Sequence, residues 1–423
     1  MNHNPKAPAA QSLTRAVKPA KPSSPGGMVA SSGDARSAGR LLVLIAIRRA
    51  GQIARIDISK QTGFSPATVT AITADLLAAG AIEPITPDDV PIGAKRGRPR
   101  EALKLRGAFK LIAGLNVAAR GITVLLTDFE GHQIGEFDYP LPAIRSSAEV
   151  LAENILAAVR GACAHYERNI DDISGIGIGL AGQVDGKRGF VHWSSSLTER
   201  NVDLGSVLGR LAPFPVFIEN DANLVAKAEH LFGEGRNFEN FVVVTIEHGI
   251  GMGIVIGGKL YRGSRGCGAE FGHIKVNADG ALCQCGQRGC LEAYAGEYAL
   301  LRAANEAGET PYASIAALGH AEQDGDPMAR AVFDQARRLF AMGLANLVNI
   351  FDPERLIIAS RNTSAHPLCA PSMLAEVAQL VMQVDAPMPE IRVHGWGDLM
   401  WAKGAAAFGI EQISELCVNE IGK

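Results

Sequence analysis

Three cysteines fall within one short run, Cys283-Gln284-Cys285-Gly286-Gln287-Arg288-Gly289-Cys290, and His273 stands ahead of them in the pattern H-x9-C-x-C-x4-C. One nitrogen and three sulfurs make a closed tetrahedral donor set of the kind structural zinc uses. The interleaved glycines let such a loop fold tightly about an ion. The alternative is three free thiols and an unrelated histidine. On the zinc reading, His273, Cys283, Cys285 and Cys290 hold Zn2+, no coordination position is left for water, and the site is structural rather than that of a zinc hydrolase.

The chain has 423 residues, enough for two or three domains. With 47% hydrophobic and 20% charged residues, most of it can bury a core. The formal net charge is only −3, so any surface for nucleic acid must be local. Residues 1–36 contain no apolar core of a signal peptide, and no apolar run is long enough to span a membrane. A cytoplasmic location is expected, where clustered cysteines more often bind metal than form disulfides.

Residues 1–36 are rich in Pro, Ala, Ser and Gly, with Lys6, Arg15, Lys18 and Lys21 scattered among them, and read as a disordered, mildly basic tail. Residues 37–107 read as a compact unit. Leu41, Leu42, Leu44, Ile45 and Ile47 form the apolar stripe of a helix that Gly51 ends. A short helix is expected over 55–61, then a turn through Gly63, then a helix with Ser65 as N-cap and Pro66 as its first residue. Val69, Ile72 and Leu76 share its inner face, and Gly80 sits where a terminating glycine belongs.

Two short helices joined this way are either an ordinary helical hairpin or a helix–turn–helix, whose second helix enters the major groove. The basic run Lys95-Arg96-Gly97-Arg98-Pro99-Arg100 lies where a wing would follow, and arginines suit a narrow, electronegative minor groove. On the DNA-binding reading the contacts are Ser65, Thr68, Thr70 and Thr73 from the helix, with Lys95, Arg96, Arg98 and Arg100 from the wing. The helix offers no Arg, Asn or Gln for bidentate base pairing, so the wing is expected to supply most of the affinity.

From about residue 108 the pattern changes to strands. Hairpins are expected at 111–128 and 241–256, with buried strands at 173–180 and 216–218 and helices at 148–166 and 222–232. Two hairpins separated by α/β units suggest a duplicated α/β architecture with a ligand cleft between its halves.

The segment from Phe271-Gly272-His273 through Cys290-Leu291-Glu292 resembles the signature of the ROK family, which groups sugar kinases with sugar-responsive repressors. Glu219-Asn220-Asp221-Ala222-Asn223 and, more loosely, 179–185 match further family stretches, and the winged helix in front is similar to the repressor branch. The resemblance covers roughly residues 40–420. It implies an α/β fold in which a winged helix–turn–helix (37–107) precedes a two-lobed actin- and hexokinase-like, ribonuclease-H-like domain (108–423). That domain would comprise lobes at about 108–223 and 224–400 and a C-terminal helix at 401–421. It also implies that Asn220, Asp221, Glu270, His273 and Glu292 line a sugar pocket, with Asp221 at the position of the kinases' general base. The bland role for Asp221 is a helix N-cap, and both roles can hold together.

The nucleotide elements depart from the kinase pattern. Where the kinases' first phosphate hairpin resembles Asp-x-Gly-Gly-Thr, this chain has Asn116-Val117-Ala118-Ala119-Arg120. The second loop places Glu247 beside Gly249 and Gly251, and the segment 357–361 lacks the expected glycine pair. Phosphoryl transfer needs cradled phosphates and a placed metal as well as a base. The expectation is therefore a sensor with no catalytic residue, Asp221 being the vestigial base. Ser194-Ser195-Ser196-Leu197 replaces a family Asn-Leu at the sugar, which leaves the sugar unnamed. The expected partners are operator DNA, a sugar or sugar phosphate, and a second copy of the chain in a dimer or tetramer. Two rival readings are an active sugar kinase and a regulator that answers to a phosphotransferase-system protein.

Overall fold

The computed structural model describes residues 32–85, 102–307, 311–361, 366–382, 385 and 387–421. The N-terminal unit runs α1 (Ser32–Ala50), β1 (Gln52–Ala54), α2 (Arg55–Thr62), α3 (Pro66–Ala78), β2 (Ile82–Pro84) and β3 (Ala102–Leu105). Its strands form an antiparallel sheet in the order β1-β3-β2. Gly63 closes α2 at φ 73°, a left-handed conformation that glycine adopts without steric cost. Ser65 then caps α3 by accepting from the Thr68 amide, and Pro66 begins it. This is a winged helix–turn–helix arrangement.

α1 begins at Ser32, ahead of the expected boundary at 36/37. Side-chain contacts made by Arg36 and Arg40 explain the extension: both pair with Asp75 of α3, at 2.9 and 2.8 Å. Arg40 also donates to the Ile421 carbonyl at 2.6 Å. The buried stripe of α1 includes Val43, Leu44 and Ile47, while Leu42 points outward.

The first lobe contains β4 (Leu111–Ala118), β5 (Gly121–Thr127), β6 (Gln133–Pro140), α4 (Ala148–His165), β7 (Ile173–Leu180), β8 (Gly182–Asp185), β9 (Phe190–Ser194), α5 (Leu204–Leu211) and β10 (Val216–Asn220). After α6 (Asp221–Leu231) come β11 (Phe241–Ile246), β12 (Ile250–Ile256), β13 (Lys259–Tyr261), α7 (Glu292–Ala295), α8 (Glu297–Ala307), α9 (Ile315–Gln323), α10 (Pro327–Phe351), β14 (Arg355–Ser360), α11 (Pro371–Leu380), β15 (Glu390–Gly395) and α12 (Met400–Glu420). The main sheets are ordered β10-β7-β4-β5-β6 and β13-β12-β11-β14-β15. In each, the first three strands form an antiparallel meander and the last two return parallel beside the first. One topology therefore occurs twice, which is the duplicated actin-like plan.

The expected lobe boundary at 223/224 falls inside α6. That helix starts directly from β10 and packs on β11, β12 and α12, so it belongs to the seam rather than to either lobe. α12 crosses back to the first sheet. A Cβ at Gly114 or Gly177 would collide with the backbone of Ala402, Ala405 or Ala406, so these glycines permit helix and sheet to approach closely. The end of α12 supplies Ile410, Ile413, Cys417 and Val418 to the core of the winged helix.

Candidate effector site and metal centre

His273, Cys283, Cys285 and Cys290 converge, their donor atoms all lying within 4.8 Å of one another. His273 Nδ1 is 3.7 Å from Cys283 Sγ, and Cys285 Sγ is 3.7 Å from Cys290 Sγ. With metal–ligand bonds of about 2.0–2.3 Å, tetrahedral donors should stand about 3.5–3.8 Å apart, so the set fits a small divalent ion. Burial pushes the Cys283 thiol up, and ligation to a cation is the interaction that offsets this. Lys275, not singled out from sequence, donates to Cys290 Sγ at 2.9 Å and so stands against the sulfur cluster.

The loop also braces the neighbouring carboxylates. Glu292 Oε2 accepts from the Ile250 amide at 3.2 Å, and Oε1 lies 3.5 Å from Cys283 Sγ. Glu270 lies 4.0 Å from His273 Nε2, the nitrogen that faces away from Cys283. Glu270 is raised by burial and by the Glu292 charge, with His273 opposing. Asp221 is pushed up to about 6 by burial, with Glu270 adding to the rise and hydrogen bonds to the carboxylate opposing it. These mutual influences place Asp221, Glu270, His273 and Glu292 in one electrostatic neighbourhood. Once ionised, buried carboxylates of raised pKa are strong acceptors for neutral hydroxyl donors, which sugars supply.

Asn220 takes a different part. Asn220, not Asp221, is the N-cap of α6, its Oδ1 accepting from the Asn223 amide at 3.2 Å while Nδ2 donates to the Gly182 carbonyl at 2.9 Å. Asp221 instead accepts from the adjacent Ala222 amide. The fully buried Glu219 was not expected from sequence as a scaffold. It accepts from Asn223 Nδ2 at 3.0 Å and from Arg262 Nε at 2.5 Å. In the serine segment, Ser194 Oγ donates to the Ala181 carbonyl and Arg145 donates twice to the Leu197 carbonyl.

The segments compared above with nucleotide-binding elements are tied together. Glu247 accepts from Ser360 Oγ at 3.1 Å and from the Arg361 amide and Nε, both at 2.6 Å. The carboxylate that departs from the kinase pattern is thus the anchor of an ion pair.

In the winged helix, Ser65, Thr68 and Thr70 lie on the exposed face of α3. Thr73 does not: it is fully buried, accepts from Arg55 Nε at 3.1 Å and donates to the Thr70 carbonyl. Its place four residues after Val69 and three before Leu76 puts it on the inner stripe. Lys95, Arg96, Arg98 and Arg100 lie outside the described residues. Among the described residues, no helix is long and apolar enough to cross a membrane.

Paired lobes of repeated topology, with a metal-type loop set against cleft carboxylates, define an actin-fold protein of the sugar-kinase type. The ROK family pattern matches residues 112–412, and the chain belongs to that family. It is 34% identical to the glucokinase of Streptomyces coelicolor over 264 residues, covering 59% of this chain and 81% of that one. It is 29% identical to the xylose repressor of Bacillus spizizenii over 376 residues, covering 89% and 95%. The crystal structure of a ROK family transcriptional regulator, a homologue of the E. coli MLC protein, superposes with a TM-score of 0.77 at 27% identity, covering 91% and 99%.

Proposed function

We propose that the chain is a sugar-responsive, DNA-binding transcriptional repressor of carbohydrate genes, with a zinc-braced kinase-like domain that binds its effector without phosphorylating it. One observation carries the reading: Glu247, Ser360 and Arg361 join the two segments that would have to cradle and cover a nucleotide. The carboxylates of Asp221, Glu270 and Glu292 take no part in that pairing and are the groups offered to a sugar. The coverage of the relatives supports the same reading, since the repressor match takes in the winged helix and the glucokinase match is shorter.

In this mechanism Asp221, Glu270 and Glu292 accept hydrogen bonds from vicinal hydroxyls, and His273 fixes one edge of the ring. Asn220 holds Asp221 at the start of α6. Zinc, held by His273, Cys283, Cys285 and Cys290, would keep the loop rigid. Ser65, Thr68 and Thr70, with Lys95, Arg96, Arg98 and Arg100, would meet operator DNA in a dimer or tetramer within the cytoplasm. Sugar that prefers the closed lobes shifts the spacing of paired winged helices and releases DNA.

The test is a gel shift on DNA upstream of the chain's own gene, titrated with D-xylose, D-glucose, N-acetylglucosamine and their phosphates. Relief by one of them is the expected result. A shift indifferent to all of them would sink the sugar-sensor reading in favour of a phosphotransferase-system protein. The glucokinase similarity favours a second reading, an active kinase. Steady ADP formation with a hexose, lost in Asp221→Asn, would establish it.

A further inference from the structure

α6 touches every part of the molecule that a DNA response to an effector requires. Its first turn carries Asn220 and Asp221 at the cleft. In its middle, Lys227 pairs with Glu411 of α12 at 2.6 Å. The fully buried Glu229 lies 2.7 Å from His394 Nδ1 and accepts from Trp396 Nε1 at 2.7 Å, which fixes the helix to the end of β15. At the far end, His230 Nε2 stands 2.9 Å from Arg49 Nη2 on α1. Burial, with Lys227 and Arg49 nearby, lowers His230 to about 4, so its neutral ring can accept that guanidinium proton. A helix of this length spans about 15 Å and moves as one body.

The joint at the far end is held but not filled. Arg48 lies over the Phe129 ring at 4.8 Å and donates to the Phe129 carbonyl at 2.5 Å. A cavity of about 110 Å3 remains between α1, α6 and α12, bounded by Leu44, Ile45, Leu231 and Ala407 among others. Close-packed interfaces resist displacement, whereas a void beside a helix lets it reseat.

We propose that α6 is the connecting rod between the effector cleft and the winged helix, and that Arg49–His230 is its coupling contact. Displacement of the Asp221 end moves His230, and α1 follows into or out of the cavity. The inference rests on the proposed effector reading of the cleft.

Hydrogen exchange on the full chain tests the rod with neither sugar nor DNA present. Asn220→Ala removes the cap and the Gly182 tether at the cleft end; Asn220→Asp keeps the cap and is the substitute if the first variant fails to fold. Either should speed amide exchange in residues 41–50 about threefold or more, and by less than about 1.5-fold when Arg49→Ala is already present. Equal acceleration in both backgrounds overturns the role of Arg49. Acceleration confined to α6 overturns the rod altogether. Either failure leaves the effector reading standing, and an operator shift indifferent to every sugar removes sugar as the driver without changing the exchange result.

Discussion

Two neighbouring parts of the kinase-like domain hold the same kinds of side chain and use them in opposite ways. On the effector side, Asp221, Glu270 and Glu292 share one electrostatic neighbourhood with His273 as the basic group beside Glu270, and burial raises Asp221 and Glu270. On the other side, Glu247 is neutralised by Arg361 and capped by Ser360. Crowded carboxylates favour a neutral, hydroxyl-rich ligand; a satisfied ion pair favours no ligand at all. On the proposed reading, a kinase-type cleft keeps half its recognition and closes the other half with one carboxylate.

The largest way to break this contrast is to take away the metal loop that braces the effector side. Cys290→Ser should reduce bound zinc from one ion per chain to nearly none by elemental analysis. It should lower the melting temperature by on the order of 10 °C and abolish effector binding. Unchanged metal content would dismantle the proposed centre. Next, Asp221→Ala should weaken effector binding about 100-fold by calorimetry while operator affinity without effector stays unchanged.

The pH dependence sharpens the comparison. Asp221 is raised from 3.8 to about 6, so between those values the folded chain holds a proton that the unfolded chain releases. Its contribution to stability therefore falls as pH rises through that window. Effector binding, which needs the carboxylate, should strengthen about tenfold from pH 5 to pH 7, with the slope absent in Asp221→Asn. An identical slope in that variant assigns the titration elsewhere. The smallest effect belongs to the closed side. Glu247→Gln should cost about 1–2 kcal/mol in denaturant unfolding and leave effector affinity unchanged. A gain of ATP binding would mean that the ion pair gates the nucleotide side instead of closing it.

The strands at 173–180 and 241–246 were legible from sequence because they are continuous apolar runs, and almost every residue in them is buried. The cap at Ser65 and the turn at Gly63 were legible because their chemistry is local. The metal cluster was legible for the same reason, since a short spacing already limits where the sulfurs can go. Thr73 was misplaced because it sits beside the apolar stripe, and only the arrival of Arg55 shows that its hydroxyl is satisfied inside. Glu247 and Arg361 are 114 positions apart, and Arg49 and His230 181 apart. Pairings that distant are set by which strands adjoin, and no local pattern encodes them.

α12 has a consequence for how the chain is made. The first lobe's sheet leaves the ribosome early, yet the helix that covers it lies far downstream. The 200 residues from Asn220 to Glu420 keep that sheet waiting roughly 10–40 s for its cover, at about 5–20 residues per second. The winged helix, finished at Leu105, waits longer still for Ile410, Ile413, Cys417 and Val418 to complete its core. A chain that stops before α12 therefore completes neither the first lobe nor the core of the winged helix. Such a product exposes apolar surface on both units at once, the condition that invites aggregation and proteolysis.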